Sequence, residues 1–174
     1  MYPIIRFAKE MLLVRTAPAL AIGETHVSHH LCWPWDLDPW LELNNGRTLT
    51  LYDLGRLPAG YRLGLDRALA GQGWRITVAG ASVRYRRRIK AFDRLEMRTR
   101  ILGWDARFIY TEQSIWVHGD CANQILVRSA LTSGKGIVPP QRLAEVMGLG
   151  QSPDLPAWVQ AWITADATRP WPPE

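Results

Sequence analysis

Between Ile76 and Gly134, four segments alternate apolar and polar residues with little more than a turn between them. Only a sheet of mostly antiparallel neighbours accommodates such a run. In ITVAGASVRYRRRI, Thr77, Ala79, Ala81, Val83, Tyr85 and Ile89 fall on one face, while Ile76 and Val78 begin the other, which continues as Arg84, Arg86 and Arg88. Arg87 breaks the pattern by landing on the apolar side. RLEMRTRILGW sets Leu95, Met97, Thr99 and Ile101 against Glu96, Arg98 and Arg100. ARFIYTEQSIWVHGD follows and turns at Gly119–Asp120, and CANQILVRSALTSG groups Ile125, Val127, Ser129 and Leu131. An earlier segment, ETHVSHHLCW over residues 24–33, mixes β-branched and aromatic residues up to Pro34 and reads as a first strand.

A five-stranded sheet with one apolar face needs a cover. The cover is the helix expected from about Gly46 to Leu57, with Asn44 or Asn45 as its N-cap. Pro58 and Gly60 should break or kink it, and a second helical stretch, YRLGLDRALAGQ, should end at Gly71 or Gly73. Thr48 and Thr50 are weak helix formers, so burial must hold the first helix. The architecture is α+β: a five-stranded antiparallel sheet wrapped round one long helix.

The 174 residues suffice for a single domain. Residues 1–20 form an N-terminal amphipathic helix, 21–137 the core and 138–174 a C-terminal helical extension that begins in GKGIVPPQRLAEVMG and closes in the tail RPWPPE. In the N-terminal segment, charges at Arg6, Lys9, Glu10 and Arg15 exclude a transmembrane span, and the apolar core is too short for a signal peptide. Ile4, Ile5, Ala8, Met11 and Leu12 recur at helical spacing, fit to pack on the protein or a partner subunit, with a membrane surface as the alternative. Cys32 and Cys121 have no second thiol at metal or redox spacing, which fits a reducing cytoplasm. Nine tryptophans point first to core packing, then to an interface or an acyl groove. The net charge of +5, carried mostly by arginine, attracts anions: nucleic acid, anionic lipid or a phosphate-bearing carrier.

One loop carries the chemistry. Two aspartates, Asp36 and Asp38, precede the paired amides Asn44 and Asn45 at the start of the long helix. This stretch, DLDPWLELNN, resembles the D-x-D-x-x-G-H-x-N-N loop of the hotdog-fold thioesterases, in particular the 4-hydroxybenzoyl-CoA thioesterase-like branch. The later segments VRYRRRI, DRLEMRTRI, YTEQSIW and NQILVRSALTSGKG are similar to that family's strands in order, so the likeness runs from about Thr25 to Gly136. The family's glycine is Leu41 here and its histidine is Glu42.

The resemblance implies an acyl-CoA or related thioester as substrate, a site shared between subunits of a homodimer or dimer of dimers, and neither cofactor nor metal. It makes Asp38 the catalytic carboxylate and assigns the oxyanion to the first amides of the helix, Asn45 and Gly46. A thioester carbonyl is already electrophilic and its thiolate leaves readily, so one carboxylate and a few donors suffice. Asn44, Glu42, Asp53 and the run Arg86, Arg87 and Arg88 fall to substrate binding, the arginines as a clamp for the phosphates of coenzyme A. Each has a plainer reading: Asp36 as a cap or dipole partner, Glu42 as a solvated loop residue, Asp53 as an ion-pair partner of Arg56, the arginines as a solvated strand end. Another hotdog branch uses a helix carboxylate, and there Asp53 would be catalytic. An apolar, aromatic tunnel fits a medium or long acyl chain or an aryl group. The alternative function is a non-catalytic acyl-thioester binding module. Nucleic acid is not expected, because alternation splits the arginines between faces and no aromatic stacking series accompanies them. His26, His29, His30 and His118 lack metal-ligand spacing, and no histidine–acid pair points to a dehydratase.

Overall fold

The computed structural model describes residues 2–170 and 172–173; Trp171 and Glu174 of the tail lie outside the described residues. In chain order the elements are α1 (Ile4–Val14), β1 (His26–Leu31), α2 (Asn45–Arg62), α3 (Leu65–Gln72), β2 (Arg75–Tyr85), β3 (Arg94–Trp104), β4 (Phe108–Val117), β5 (Asp120–Ser133), β6 (Gly136–Val138), α4 (Pro140–Val146) and α5 (Ala157–Ala167). The strands pair antiparallel in the order β1-β3-β4-β5-β2, and β6 folds back on the end of β5. The chain passes from β1 at one edge to β2 at the other by way of α2 and α3. This is the hotdog arrangement, a curled antiparallel sheet holding a helix.

Asn44 caps α2 by accepting from the Arg47 amide at 3.0 Å. The helix then runs unbroken through Pro58 to Arg62, one turn beyond the expected stop. A proline inside a helix costs about 3 kcal/mol. Full burial of Leu51, Tyr52 and Leu54 returns roughly 1.5–3 kcal/mol for each such side chain, and Pro58 is itself buried. Tertiary packing therefore overrides the local breaker. The break falls instead at Gly64, whose φ of +77° separates α2 from α3. At Gly55 the helix touches the sheet: a Cβ there would lie 2.6 Å from both Met97 Sδ and Thr99 Oγ1.

The strand alternation of β3, β4 and β5 holds, with Met97, Ile115, Ile125 and Val127 buried beneath α2. The phase of β2 differs from the reading above. A bulge between Val78 and Gly80 shifts the register, so Ile76 and Val78 pair with Leu131 and Ser129 on the same face as Ala81 and Val83, opposite Val127 and Ile125. One inserted residue flips every side chain beyond it. β2 ends at Tyr85, so Arg86, Arg87 and Arg88 lie past the strand and are exposed. Arg87 is thus not on an apolar face; it pairs with Asp120 at 3.2 Å.

A second correction concerns the other side of the sheet, which is apolar too. Leu102, Tyr110 and Leu126 are buried there beneath Val159 and Trp162 of α5. Arg128 fastens that helix, reaching Asp166 at 2.5 Å and lying over the rings of Phe108 and Trp162. A third cluster, Trp104, Ile109, Leu131 and Leu143, closes the end of the sheet beneath α4.

α1 rests on α2 and the β1 side by a mixed face, in which Phe7, Met11 and the buried Val14 lie beside Arg6 and Glu10. Glu10 is buried beside His30, and Arg6 reaches Asp36 at 2.8 Å. Of the expected apolar stripe, Ile4, Ile5, Ala8 and Leu12 face outward and only the half-buried Met11 meets the rest of the chain. Among the described residues, no helix is long and apolar enough to cross a membrane.

Candidate active site

The loop between β1 and α2 opens with a single 3-10 turn, Pro34–Asp36. Asp36 is buried at its end and ties three segments together: its carboxylate accepts from the Trp33 amide at 3.0 Å and pairs with Arg6 at 2.8 Å and Arg47 at 2.6 Å. This aspartate holds structure. Asp38 is half-buried, and its Oδ1 accepts from the amides of Trp40 at 2.9 Å and Glu42 at 3.2 Å, closing a turn whose ends meet as a Leu37–Leu43 bridge. Leu41 takes φ +60° within that turn. The loop thus keeps a left-handed backbone, which glycine adopts at little cost and leucine only under strain.

The loop is stitched to the segment after β2. The Leu43 amide donates to Ile89 O at 2.8 Å, and Glu42 pairs with Arg88 at 3.0 Å. Between them lies a pocket of about 190 Å³ lined by Glu42, Asn45, Thr48, Tyr85, Asn123 and the three arginines Arg86, Arg87 and Arg88. Tyr85 donates to Asn45 O at 3.3 Å. Asn44 serves as the cap, so Asn45 and Gly46 supply first-turn amides at the positive end of the helix. Seven of the nine residues singled out from sequence therefore meet where α2 begins: Glu42, Asn45, Arg86, Arg87 and Arg88 line the pocket, and Asn44 and Gly46 flank it in the cap and first turn. Asp38 sits in the adjoining turn and is not among the residues lining that pocket.

Asp53 lies elsewhere. It borders a cavity of about 450 Å³ between α2 and the sheet, walled by Phe7, Met11, Leu57, Ile76, Val78 and Ile101 among others. Burial raises its carboxyl above the ordinary carboxylate value despite the Arg56 guanidinium bonded to it. Arg56 donates in turn to Gln113 Oε1 at 2.9 Å, and Gln113 Nε2 donates to Thr99 Oγ1 and to Tyr52 O, both at 2.9 Å. The predicted Asp53–Arg56 ion pair is present, and it belongs to a buried polar line from sheet to helix. The sequence reading passed over Gln113. Its signal was a long amide in the apolar phase of β4, between Thr111 and Ile115. The Tyr52 hydroxyl, which donates to Asn123 Oδ1 in the core, was passed over too; burial raises its pKa above the ordinary tyrosine value.

The histidines divide as strand faces do. His29 is exposed while His26 and His30 are buried. Burial pulls His30 down to about 3, with the cations Lys9 and Arg6 adding to the effect, although Glu10 Oε1 stands 3.6 Å from its Nδ1. That carboxylate already holds Lys9 at 2.7 Å, so the imidazole stays neutral. Burial also raises the Cys32 thiol, to about 11, which leaves it inert at neutral pH.

With this fold and loop in view, residues 32–163 match the model of the thioesterase-like superfamily, and the chain belongs to that superfamily. Among individual relatives, it is 30% identical over 163 residues to Protein THEM6 of Xenopus laevis, an alignment covering 91% of this chain and 77% of that protein. Among solved structures, it superposes on the Escherichia coli protein YbaW with a TM-score of 0.65 at 16% identity, covering 70% of this chain and 95% of the other. The DHNA-CoA thioesterase of Staphylococcus aureus superposes with a TM-score of 0.60 at 15% identity, covering 82% and 91%.

Proposed function

We propose that the chain hydrolyses an acyl thioester of coenzyme A or a related carrier, in the manner of the 4-hydroxybenzoyl-CoA thioesterase-like branch. The observation that carries this reading is the convergence at the start of α2: first-turn amides, Glu42 and three arginines around one pocket, with the Asp38 turn beside it. Oδ1 of Asp38 holds the turn; Oδ2 is assigned to the chemistry, taking a proton from water as the water oxygen adds to the carbonyl carbon. The amides of Asn45 and Gly46 stabilise the oxyanion, and collapse expels the thiolate, which takes up a proton. Asn44 keeps those amides in place, and Arg86, Arg87 and Arg88 hold the phosphates with Glu42 orienting Arg88.

The acyl group is assigned to the apolar cavity of about 450 Å³ farther along α2, which shares no lining residue with the pocket at the helix start. The second copy fits the free edge of β2, which pairs only with β5 and is exposed along much of its length. That edge borders the pocket through Tyr85. A homodimer closing there would share the site between subunits.

One observation favours a second reading of the chemistry. Asp53 lines the larger cavity directly, and its raised carboxyl suits a general base working nearer neutral pH. Acyl-CoA panels read out with a thiol reagent separate the two. Under the first reading Asp38→Asn lowers kcat by about 100-fold or more while Asp53→Asn keeps most of it; the reverse pattern moves the chemistry to Asp53. Tight acyl-CoA binding without thiol release from the unaltered protein would replace both with a binding module.

A further inference from the structure

α1 carries apolar side chains on both faces, more than a helix that only packs on its own domain needs. Its inward face holds Phe7, Met11 and the buried Val14 beside Arg6 and Glu10, while outside Ile5 is 87% exposed and Leu12 61% exposed. Arg6 fastens the helix to Asp36, and Tyr2 and Trp35 border one open cavity, so the helix and the loop after β1 form one continuous surface. That loop ends in a knuckle whose tip is also apolar. Trp40 is 78% exposed and Leu41 71%, Leu41 at φ +60°. Beside it, Phe92 at φ +66° is 61% exposed, and its ring meets the Trp33–Trp35 stack edge-on. Two strained backbone positions thus hold large apolar side chains in solvent, where they contribute nothing to the core.

We propose that this face docks on the surface of a bilayer containing anionic lipid, α1 lying in the interfacial plane with the Trp40–Leu41 tip inserted beside it. The charges select this occupant over a second copy. Arg15 and the exposed Lys9 flank the aliphatic stripe, Lys9 reaching the one acid of the helix, the buried Glu10, at 2.7 Å, and Arg88 stands at the knuckle through Glu42. A two-fold contact through this face would gather these cations in one interface with no exposed acid on α1 to meet them, whereas lipid phosphates complement them. Tryptophan is the side chain suited to a headgroup boundary, and a helix of 11 residues lies along a bilayer rather than crossing it. The sheet edge assigned to a second copy is β2, at the opposite side of the sheet order from β1. This inference does not depend on the proposed chemistry.

Flotation of the full chain with vesicles of phosphatidylcholine, with and without phosphatidylglycerol, tests it, with tryptophan fluorescence as a second readout. The protein should float with the anionic vesicles, its emission shifting to the blue, and added salt should weaken binding. Ile5→Glu with Leu12→Glu should lower binding about ten-fold or more while leaving the sedimentation mass unchanged. Leu41→Gly relieves backbone strain, so it should fold at least as stably and still bind more weakly, which keeps the test independent of folding defects. Failure of the unaltered protein to float, equal flotation of the variants, or a fall in sedimentation mass in the glutamate variant, which would make this face a protein interface, overturns the proposal.

Discussion

α1 and α5 are helices of equal length, 11 residues each, that flank the same sheet and are each fastened by one ion pair to it or to a loop. They are built differently. α5 turns Val159, Trp162 and Ile163 inward onto Leu102, Tyr110 and Leu126, and its Asp166 binds Arg128 of β5. α1 turns a mixed face inward, Arg6 and Glu10 to Asp36 and His30 beside Phe7, Met11 and Val14, and leaves Ile4, Ile5 and Leu12 outside. Amphipathic spacing makes a helix, but what the neighbouring surface offers decides which face goes in. The outer face of β3–β5 offers apolar side chains; the loop after β1 offers a buried carboxylate that needs cations. Burying charge in this way is tolerated only when each ion is paired.

The largest effect on that contrast should come from Asp36→Asn, which leaves Arg6 and Arg47 without their carboxylate. Denaturant unfolding should show a loss of about 3–5 kcal/mol. The matching change on the other helix, Asp166→Asn, removes a less enclosed pair and should cost about 1–2 kcal/mol. Equal losses would mean the two clasps are equivalent after all.

Next in size is acid sensitivity under α1. His30 is held well below its ordinary 6.5, at about 3, so the folded state binds fewer protons than the unfolded chain between those values. Its contribution is fully present above pH 6.5 and is lost as pH falls toward 3, on the order of 3 kcal/mol by pH 4. His26, lowered to about 4 by burial and Arg62, adds a smaller loss of the same sign. Unfolding measured against pH should show the slope, and His30→Gln should flatten it. No flattening would mean the α1 interface does not exclude water from that ring.

The smallest effects compare apolar truncations on the two helices. Val159→Ala opens space at a fully buried position and should cost about 2 kcal/mol. Leu12→Ala, at an exposed position, should stay within about 0.5 kcal/mol. A larger loss at Leu12, seen in thermal or denaturant unfolding, would show that something covers the stripe in the isolated protein.

The same contrast explains what could be read in advance. β3, β4 and β5 were legible because they sit in the middle of the sheet, where period-two alternation is enforced by burial. The turn after β4 was placed nearly correctly, with His118 and Gly119 both at positive φ. β2 was legible as a strand but not in phase, because the bulge at Val78–Gly80 leaves no mark in an apolar pattern of small residues. The full length of α2 was hidden behind Pro58, whose local penalty is visible in sequence while the packing that outweighs it is not. At the site, the helix N-cap followed from local chemistry, while the arginines were joined to it only by the family resemblance. Separation of Asp53 into a second cavity, and the Gln113 link from β4 to Arg56, required long-range contacts.

The linear order of residues determined by itself that this chain makes one long capped helix and a run of antiparallel strands. Both depend on spacing and on side-chain-to-backbone bonds within a few residues. Tertiary structure alone decided that α1 turns Arg6 and Glu10 inward while Ile5 and Leu12 stay outside, that a proline stays inside α2, and which carboxylates are held by cations and which line a cavity. The reason is physical: each outcome balances the desolvation of one group against a partner supplied by a distant segment, and neither the desolvation nor the partner is defined until the chain has closed on itself.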